Sequence, residues 1–235
     1  MKFAVASEHR DFYQKNHLIE FNDLLNPDQL AEINKQINEH LAVKLSIPTY
    51  KVKTASAEAE FNNGHDLWRV NDPLKRLILS PKLAEIGSEL VEYKPFRIGY
   101  DQLFPESKPL FDPYATKENY SNYVHRQRSL HEVSCIRDIA CGLLLCLSGP
   151  EQMKSETKSI FSITPGNGVY FNPELSVDFK EIEEYGNYRY LLIVYGQQSS
   201  VYALNQDDPH THALKHLGYT FGDKLNDKIN PIVYR

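Results

Sequence analysis

From Asn26 onward, apolar positions recur at three- and four-residue spacing: Leu30, Ile33, Ile37 and Leu41 fall on one face of a helix. Asn26-Pro27-Asp28 supplies a capping side chain, a proline in the first turn where no amide hydrogen is needed, and an acid at the positive end of the helix dipole. The pattern predicts an amphipathic helix over residues 27–42, preceded by a short alternating strand, His17-Leu18-Ile19-Glu20-Phe21. Between Lys44 and Gly64 the periodicity dissolves, and the stretch reads as a loop with a short strand at Tyr50-Lys51-Val52. Asp72-Pro73 and Ser80-Pro81 each set a capping residue before a proline. Leu74, Leu77 and Ile78, then Leu83, Ile86 and Leu90, predict two consecutive helices broken at Pro81.

Beyond Pro95 the period becomes two, or gives way to continuous apolar runs. Phe96 to Phe104 reads as a strand, and PESKPLFDPYATKENYSNY, with its prolines and polar residues, as a long loop. A strand near Ser129 to Ser134 follows, then a fully buried one from Ala140 to Leu147 and one ending at Ile163. The turn Pro165-Gly166-Asn167-Gly168 leads to a strand from Val169 to Phe171. Tyr188 to Tyr195 is the second strongly apolar strand, with Val201 to Leu204 beside it. Strands joined by turns without intervening helices predict antiparallel pairing, and helices gathered at one end predict an α+β sandwich or barrel. The expected organisation is a single domain over 1–235: a mainly helical front (1–94), a strand-rich body (95–205) and a C-terminal tail (206–235).

Composition narrows the function classes. Of 235 residues 41% are hydrophobic and 24% charged, enough for a proper core, and the net charge of -5 comes with scattered rather than clustered Lys and Arg. There is thus no electrostatic footprint for nucleic acid or an anionic membrane. MKFAVASEHRDF is too short in apolar residues for a signal-peptide core, and no run reaches membrane-span length, so a soluble cytoplasmic protein is expected. Cys135, Cys141 and Cys146 lack metal-type spacing and are odd in number, which suits reduced, buried thiols.

Few residues carry recognisable chemistry. No Gly-x-Ser-x-Gly elbow, phosphate-cradling loop or dinucleotide fingerprint is present. His212 and His216 share a helical face and, with Asp208 nearby, could bind a divalent metal, but Ala213-Leu214 stands where an HExxH hydrolase needs its glutamate; the favoured reading of DPHTHALKHLGY is a Pro-started helix ended by Gly218, with exposed histidines. Arg189 could grip a carboxylate by two parallel hydrogen bonds if it faces inward, and is an ordinary strand arginine if it faces outward; alternation does not decide. Tyr100, Asp101 and Gln102 are either pocket lining or one buried tyrosine flanked by a polar edge. Leu130-His131-Glu132-Val133 precedes the buried strand. On a regular strand His131 shares its face with Val133, not with Glu132.

Several segments together resemble the phytanoyl-CoA dioxygenase-like branch of the iron(II)/2-oxoglutarate oxygenases. FYQKNHLIEFNDLLNPDQLAEINKQI is similar to that family's opening strand and Pro-capped helix. HDLWRVNDPLKRLILSPKLAEIGSEL with FRIGYDQLF looks like the helix pair and strand before the metal site. PGNGVYFNPEL resembles the turn and strand leading to the distal histidine, and YGNYRYLLIVYG the late strand with the co-substrate arginine. The likeness runs from about Phe12 to Tyr195 and is one of pattern rather than diagnostic motif. It implies an α+β fold with a double-stranded β-helix (jelly-roll, cupin-like) core and N-terminal helices packed on the sheet. It also implies iron(II) and 2-oxoglutarate as cofactors, and hydroxylation of a small organic or acyl substrate.

By that resemblance His131 is the first metal ligand, Asp178 is the coordinating residue nearest the distal position, and Arg189 anchors 2-oxoglutarate, with Tyr100 and Gln102 at the pocket mouth. The family pattern is broken at two of three ligands: Val133 stands where the acid belongs, and no histidine occurs between His131 and His210. An alternative register, His125-Arg126-Gln127, offers only a neutral amide. Two readings follow: an iron- and 2-oxoglutarate-dependent enzyme, or a relative with a degenerate or absent iron site that keeps the jelly roll as a binding module for a small carboxylate or a protein partner.

Overall fold

The computed structural model describes residues 5–106, 124, 127–149, 161–179 and 188–235. Helix α1 (Ser7–Asn16) passes into strand β1 (Leu18–Phe21) through His17, whose left-handed backbone (φ 62°) ends the helix. Helix α2 (Pro27–Leu45) starts where the sequence places it. The Gln29 amide donates to Asn26 Oδ1 at 2.9 Å, the Asn26 amide donates to Gln29 Oε1 at 3.0 Å, and Ile33, Ile37 and Leu41 are buried. Such a reciprocal cap is worth about 1 kcal/mol.

The expected loop between Lys44 and Gly64 is instead helical. A 3-10 helix, Thr49–Thr54, replaces the short strand at Tyr50-Lys51-Val52, and α3 (Ala57–Asn63) follows, its Ala59 amide capped by Ser56 Oγ at 3.2 Å. Ala57 and Phe61, four residues apart, bury one face of that helix. A second 3-10 turn, Leu67–Arg69, precedes α4 (Asp72–Ile78) and α5 (Pro81–Val91), capped by Asn71 and Ser80.

Strands β2 (Phe96–Phe104), β3 (Ile136–Ser148), β4 (Gly168–Phe171), β5 (Arg189–Tyr202) and β6 (Ile232–Tyr234) join β1 in a six-stranded sheet ordered β1-β4-β3-β5-β2-β6, with every pairing antiparallel. Two expectations change here. The strands expected at Tyr188–Tyr195 and Val201–Leu204 merge into one long strand, β5, which begins at Arg189 and ends at Tyr202. The segment from Ser129 to Ser134 is not a strand but a helical turn, α6 (Leu130–Val133), followed later by α7 (His210–His216). Most of the long loop after Phe104, and most of the strand expected before Ile163, lie outside the described residues.

Period-two alternation assigns the two faces of the sheet. Leu143, Leu145, Leu191, Ile193 and Tyr195 turn to one side, where α2 and α5 bring Ile37, Leu41, Ile86 and Leu90. Leu144, Cys146, Tyr190, Leu192 and Val194 turn to the other, the barrel side, where Leu130, Val133, Phe171, Val177 and Phe179 meet them. α3 and the C-terminal segment close this second core with Phe61, Leu214, Tyr219 and Leu225. Each full burial of a leucine or isoleucine contributes about 2 kcal/mol, so each face is a core in its own right. No described helix is long and apolar enough to cross a membrane.

Candidate functional site

His131 sits in the helical turn α6, and the reason is legible locally. Ser129-Leu130-His131-Glu132 is a capping box: Glu132 Oε2 accepts from the Ser129 amide at 2.7 Å and from its hydroxyl at 3.1 Å. A turn of helix abolishes the strand relation between His131 and Val133. Val133 goes into the barrel core, whereas His131, half-buried, lines a surface cleft of about 480 Å³ with Tyr13, His17, Val91, Ala140, Pro173 and Glu174. That cleft belongs to the sheet's end and the helical side, not to the barrel interior.

The other candidates lie elsewhere. Asp178 is half-buried beside Val177, whose backbone bridges Arg128, and it does not line the His131 cleft. Arg189 faces the helical side with Leu191 and Ile193. Its Nη2 lies 3.1 Å from Glu60 Oε2, and its Nη1 2.9 Å from Asn38 Oδ1 and 3.3 Å from Asn34 Oδ1. It borders a separate cleft of about 280 Å³ with Asn38, Thr49, Lys53, Glu60 and Glu106, and its buried Nε has no hydrogen-bond partner. Arg189 pairs with Ser148 at one end of the sheet, whereas the His131 cleft reaches Ala140 beside Tyr195 at the other. From Arg189 to Tyr195 the strand advances roughly 20 Å, so the structure does not bring His131 and Arg189 together.

Tyr100 and Gln102 face the barrel, and both are fully buried. Gln102 Nε2 donates to the carbonyls of Phe61 and Leu103, each at 2.9 Å, and fastens α3 to β2. Tyr100 stacks on His210, with ring centroids 4.2 Å apart. Of the alternative register, His125 and Arg126 fall outside the described residues.

Iron(II) and 2-oxoglutarate do not fit these residues. Among the described residues no group of three or more His, Cys, Asp or Glu side chains is placed to hold a metal ion. The barrel face is closed by packing: a Cβ added at Gly142 would lie 2.5 Å from Phe171 Cζ and 2.9 Å from Leu130 Cδ1. The cavity bordered by Leu144, Phe161, Phe171 and Val177 measures about 10 Å³, at the lower limit for a single water and far below a co-substrate pocket.

The deepest polar chemistry is at the barrel's end, and sequence reasoning missed it. His210, expected to be exposed, has no exposed surface, while His212 and His216 are exposed as expected. The His210 Nδ1 lies 2.7 Å from Asp208 Oδ1 and its Nε2 2.9 Å from the Asp101 carbonyl oxygen. Asp208 also accepts from the Cys135 amide at 2.6 Å. Asp101 Oδ1 and Oδ2 accept from the amides of Leu67 and Trp68 at 2.8 and 3.4 Å, at the start of the second 3-10 turn. His65 lies edge-on to His210, with centroids 5.3 Å apart, and 3.9 Å from Asp66, too far for a hydrogen bond.

These neighbours set the charges. Burial and the nearby Asp66 push the Asp101 carboxyl up to about 7, against the amides of Leu67 and Trp68 and the His210 ring. Burial alone would lower the His210 imidazole, but the Asp208 carboxylate outweighs it and holds the ring up at about 9. Asp208 is correspondingly held below the usual carboxylate range, against its own burial, by His210 and backbone amides. No spacing signal separates His210 from His212 and His216; its burial depends on β2, more than 100 residues away.

No protein-family model matches the chain, and no curated protein sequence matches it. Its likeness is to solved structures. The non-heme alpha-ketoglutarate dependent carbocyclase SnoK from nogalamycin biosynthesis is similar with a TM-score of 0.63 at 10% identity, over 97% of this chain and 96% of that one. The non-heme alpha-ketoglutarate dependent epimerase SnoN from the same biosynthesis gives 0.58 at 12% identity, over 96% and 97%. CytC3, solved with Fe(II) and alpha-ketoglutarate, gives 0.52 at 12% identity, over 86% and 81%. At such identities the likeness is one of fold. The curled antiparallel sheet with its helical layer is the α+β, jelly-roll type found in these iron/2-oxoglutarate enzymes, the fold class the sequence led us to expect.

Proposed function

We propose that this chain is a phytanoyl-CoA dioxygenase-like protein with a degenerate iron site, a non-catalytic jelly roll that acts by binding. One observation carries the reading: the barrel face is filled by Leu144, Cys146, Leu192, Val194 and Phe171 so closely that Gly142 has no room for a methyl group. Iron needs three ligands on one face and open positions for co-substrate and oxygen. Of the residues assigned to those tasks by resemblance, His131 borders one cleft, the buried Arg189 borders another, and Asp178 does not line the His131 cleft.

The test is an anaerobic calorimetric titration of the full chain with Fe(II) and 2-oxoglutarate, paired with a succinate assay in air. The expected result is no stoichiometric iron uptake and no succinate. Stoichiometric iron binding that is lost in His131→Ala, with succinate formed, would overturn the proposal. A small carboxylate is the ligand proposed for the binding role, because Lys53 and the Glu60-paired Arg189 border one cleft with Thr49, which Glu60 and Glu106 also line. A metal-free thermal shift with 2-oxoglutarate or succinate that disappears in Lys53→Ala and Arg189→Ala is expected. Absence of any shift leaves a protein partner as the ligand.

A further inference from the structure

His210 binds two acceptors and no donor. One ring nitrogen faces the Asp208 carboxylate at 2.7 Å and the other the Asp101 carbonyl at 2.9 Å, so both nitrogens carry hydrogens and the ring is an imidazolium. A neutral imidazole would turn a lone pair toward one of these oxygens, inside a site with no water-exposed surface. The same pair ties three other segments to the C-terminal one: β2 through the Asp101 carbonyl, the turn before β3 through the Cys135 amide, and the 65–66 loop through the His65 ring.

We propose that the Asp208–His210 pair is a proton-operated latch, which fastens residues 203–225 across the end of the barrel while His210 is doubly protonated and releases them when it loses a proton. Release would uncover the apolar contacts of Leu214, Tyr219 and Leu225 with the barrel core.

The groups facing His210 agree on the direction. From its own segment comes Asp208, from the 65–66 loop the His65 ring and the Asp66 carboxylate, and from β2 Tyr100 and Asp101; the Cys135 thiol and Thr211 lie against Asp208. Asp66, despite its burial, is held down at about 2 by the histidines and Arg69, so it stays charged and favours the imidazolium. A histidine held above its ordinary value stabilises the folded state fully below about 6.5, and that contribution is lost as pH rises toward 9. The latch is therefore closed at neutral pH and opens on the alkaline side. Each unit between the two values is a tenfold factor in the opening equilibrium, about 300-fold at most here.

The experiment is hydrogen exchange of the full chain by mass spectrometry from pH 6 to 10, corrected for intrinsic rates. Peptides from 203–225 are expected to lose about tenfold in protection between pH 8 and 10 relative to peptides from β3 and β5. His210→Gln is expected to lower that protection at pH 6 and abolish the step, whereas His212→Gln, two residues away and exposed, leaves the step in place. A flat wild-type profile, or an equal loss in β3 and β5, overturns the proposal. Should His210→Gln not fold, carbon-13 NMR of labelled histidines decides on the wild-type chain. The His210 ring must titrate well above the ordinary histidine value of about 6.5, and titration at that value overturns the latch.

Discussion

In the middle of the barrel Leu144, Leu192 and Val194 meet Phe171 and Leu130 with no charged atom among them, whereas at its end Asp101, Asp208 and His210 are buried just as completely. The two regions share strand β2, yet they reach close packing by opposite means. The middle is closed by shape, down to the bare Cα of Gly142; the end is closed by hydrogen bonds that pair Asp208 with His210 and give both Asp101 carboxylate oxygens a partner. Charge can be kept in this interior only where partners are already placed, and in the middle none are. The buried charge pair Asp208–His210 lies at the C-terminal closure, where the Cys135 amide and the Asp101 carbonyl partner it.

The contrast is broken most severely at the end. Asp208→Ala leaves a buried imidazolium without its counter-ion and is expected to cost about 3–5 kcal/mol in urea denaturation. The double variant Asp208→Leu with His210→Met, which removes both charges, is expected to cost clearly less than Asp208→Ala alone. If the double variant costs as much, the end is held by shape as the middle is. In the middle, Leu192→Ala is expected to cost about 3 kcal/mol through the cavity it leaves, and Gly142→Ala about 2 kcal/mol through overpacking against Phe171.

A pH series sharpens the same comparison with no mutation. Asp101 is held above its ordinary value, so the fold prefers it protonated and stability falls as pH rises from about 4 toward 7. His210 adds a further loss from about 6.5 toward 9. Asp208 and Asp66, both held low, work the other way and lose their contribution on acidification below about 4. Thermal stability should therefore be highest near pH 4 and decline toward pH 9 by several kcal/mol, at about 1.4 kcal/mol for each unit by which a group is held above its ordinary value. Asp101→Asn should flatten the part of the decline below pH 7. The fluorescence of Trp68, the chain's one tryptophan, whose amide bonds Asp101, provides a local readout.

What could be read from the sequence follows the same division. The middle of the barrel and the helical layer are patterned locally, so α2 with its Asn26-Pro27 start, the break at Pro81, and β2 from Phe96 to Phe104 were legible, and with them the fold class. The turn α6 reads as a strand from the apolar residues around it, although Ser129-x-x-Glu132 is a capping-box spacing, and the cap prevails. The loop expected after Lys44 became helical because Ser56 caps α3 and Phe61 finds a core to enter, and only the first of these is local. The Asp208–His210 pair was illegible for a stronger reason. Its other partners are a carbonyl on β2 and an amide before β3, so apart from the Asp208-x-His210 spacing itself nothing local distinguishes His210 from the exposed His212.

The smallest effect is expected at His131, the first metal ligand by resemblance. The anchoring contacts of His131 run through its backbone: its amide donates to the Pro173 carbonyl at 3.3 Å, and its carbonyl accepts from Arg137 Nη1 at 2.5 Å. Its ring borders an open cleft at the sheet's end. Truncation at a half-exposed ring of this kind, with the backbone bonds left in place, changes stability by no more than about 0.5 kcal/mol. His131→Ala should therefore melt within about a degree or two of the wild type in differential scanning calorimetry, where His210→Ala loses several degrees. A large loss in His131→Ala would mean that this ring supports a buried network of its own, and the distinction between a shape-closed barrel middle and a charge-closed barrel end would have to be redrawn around it.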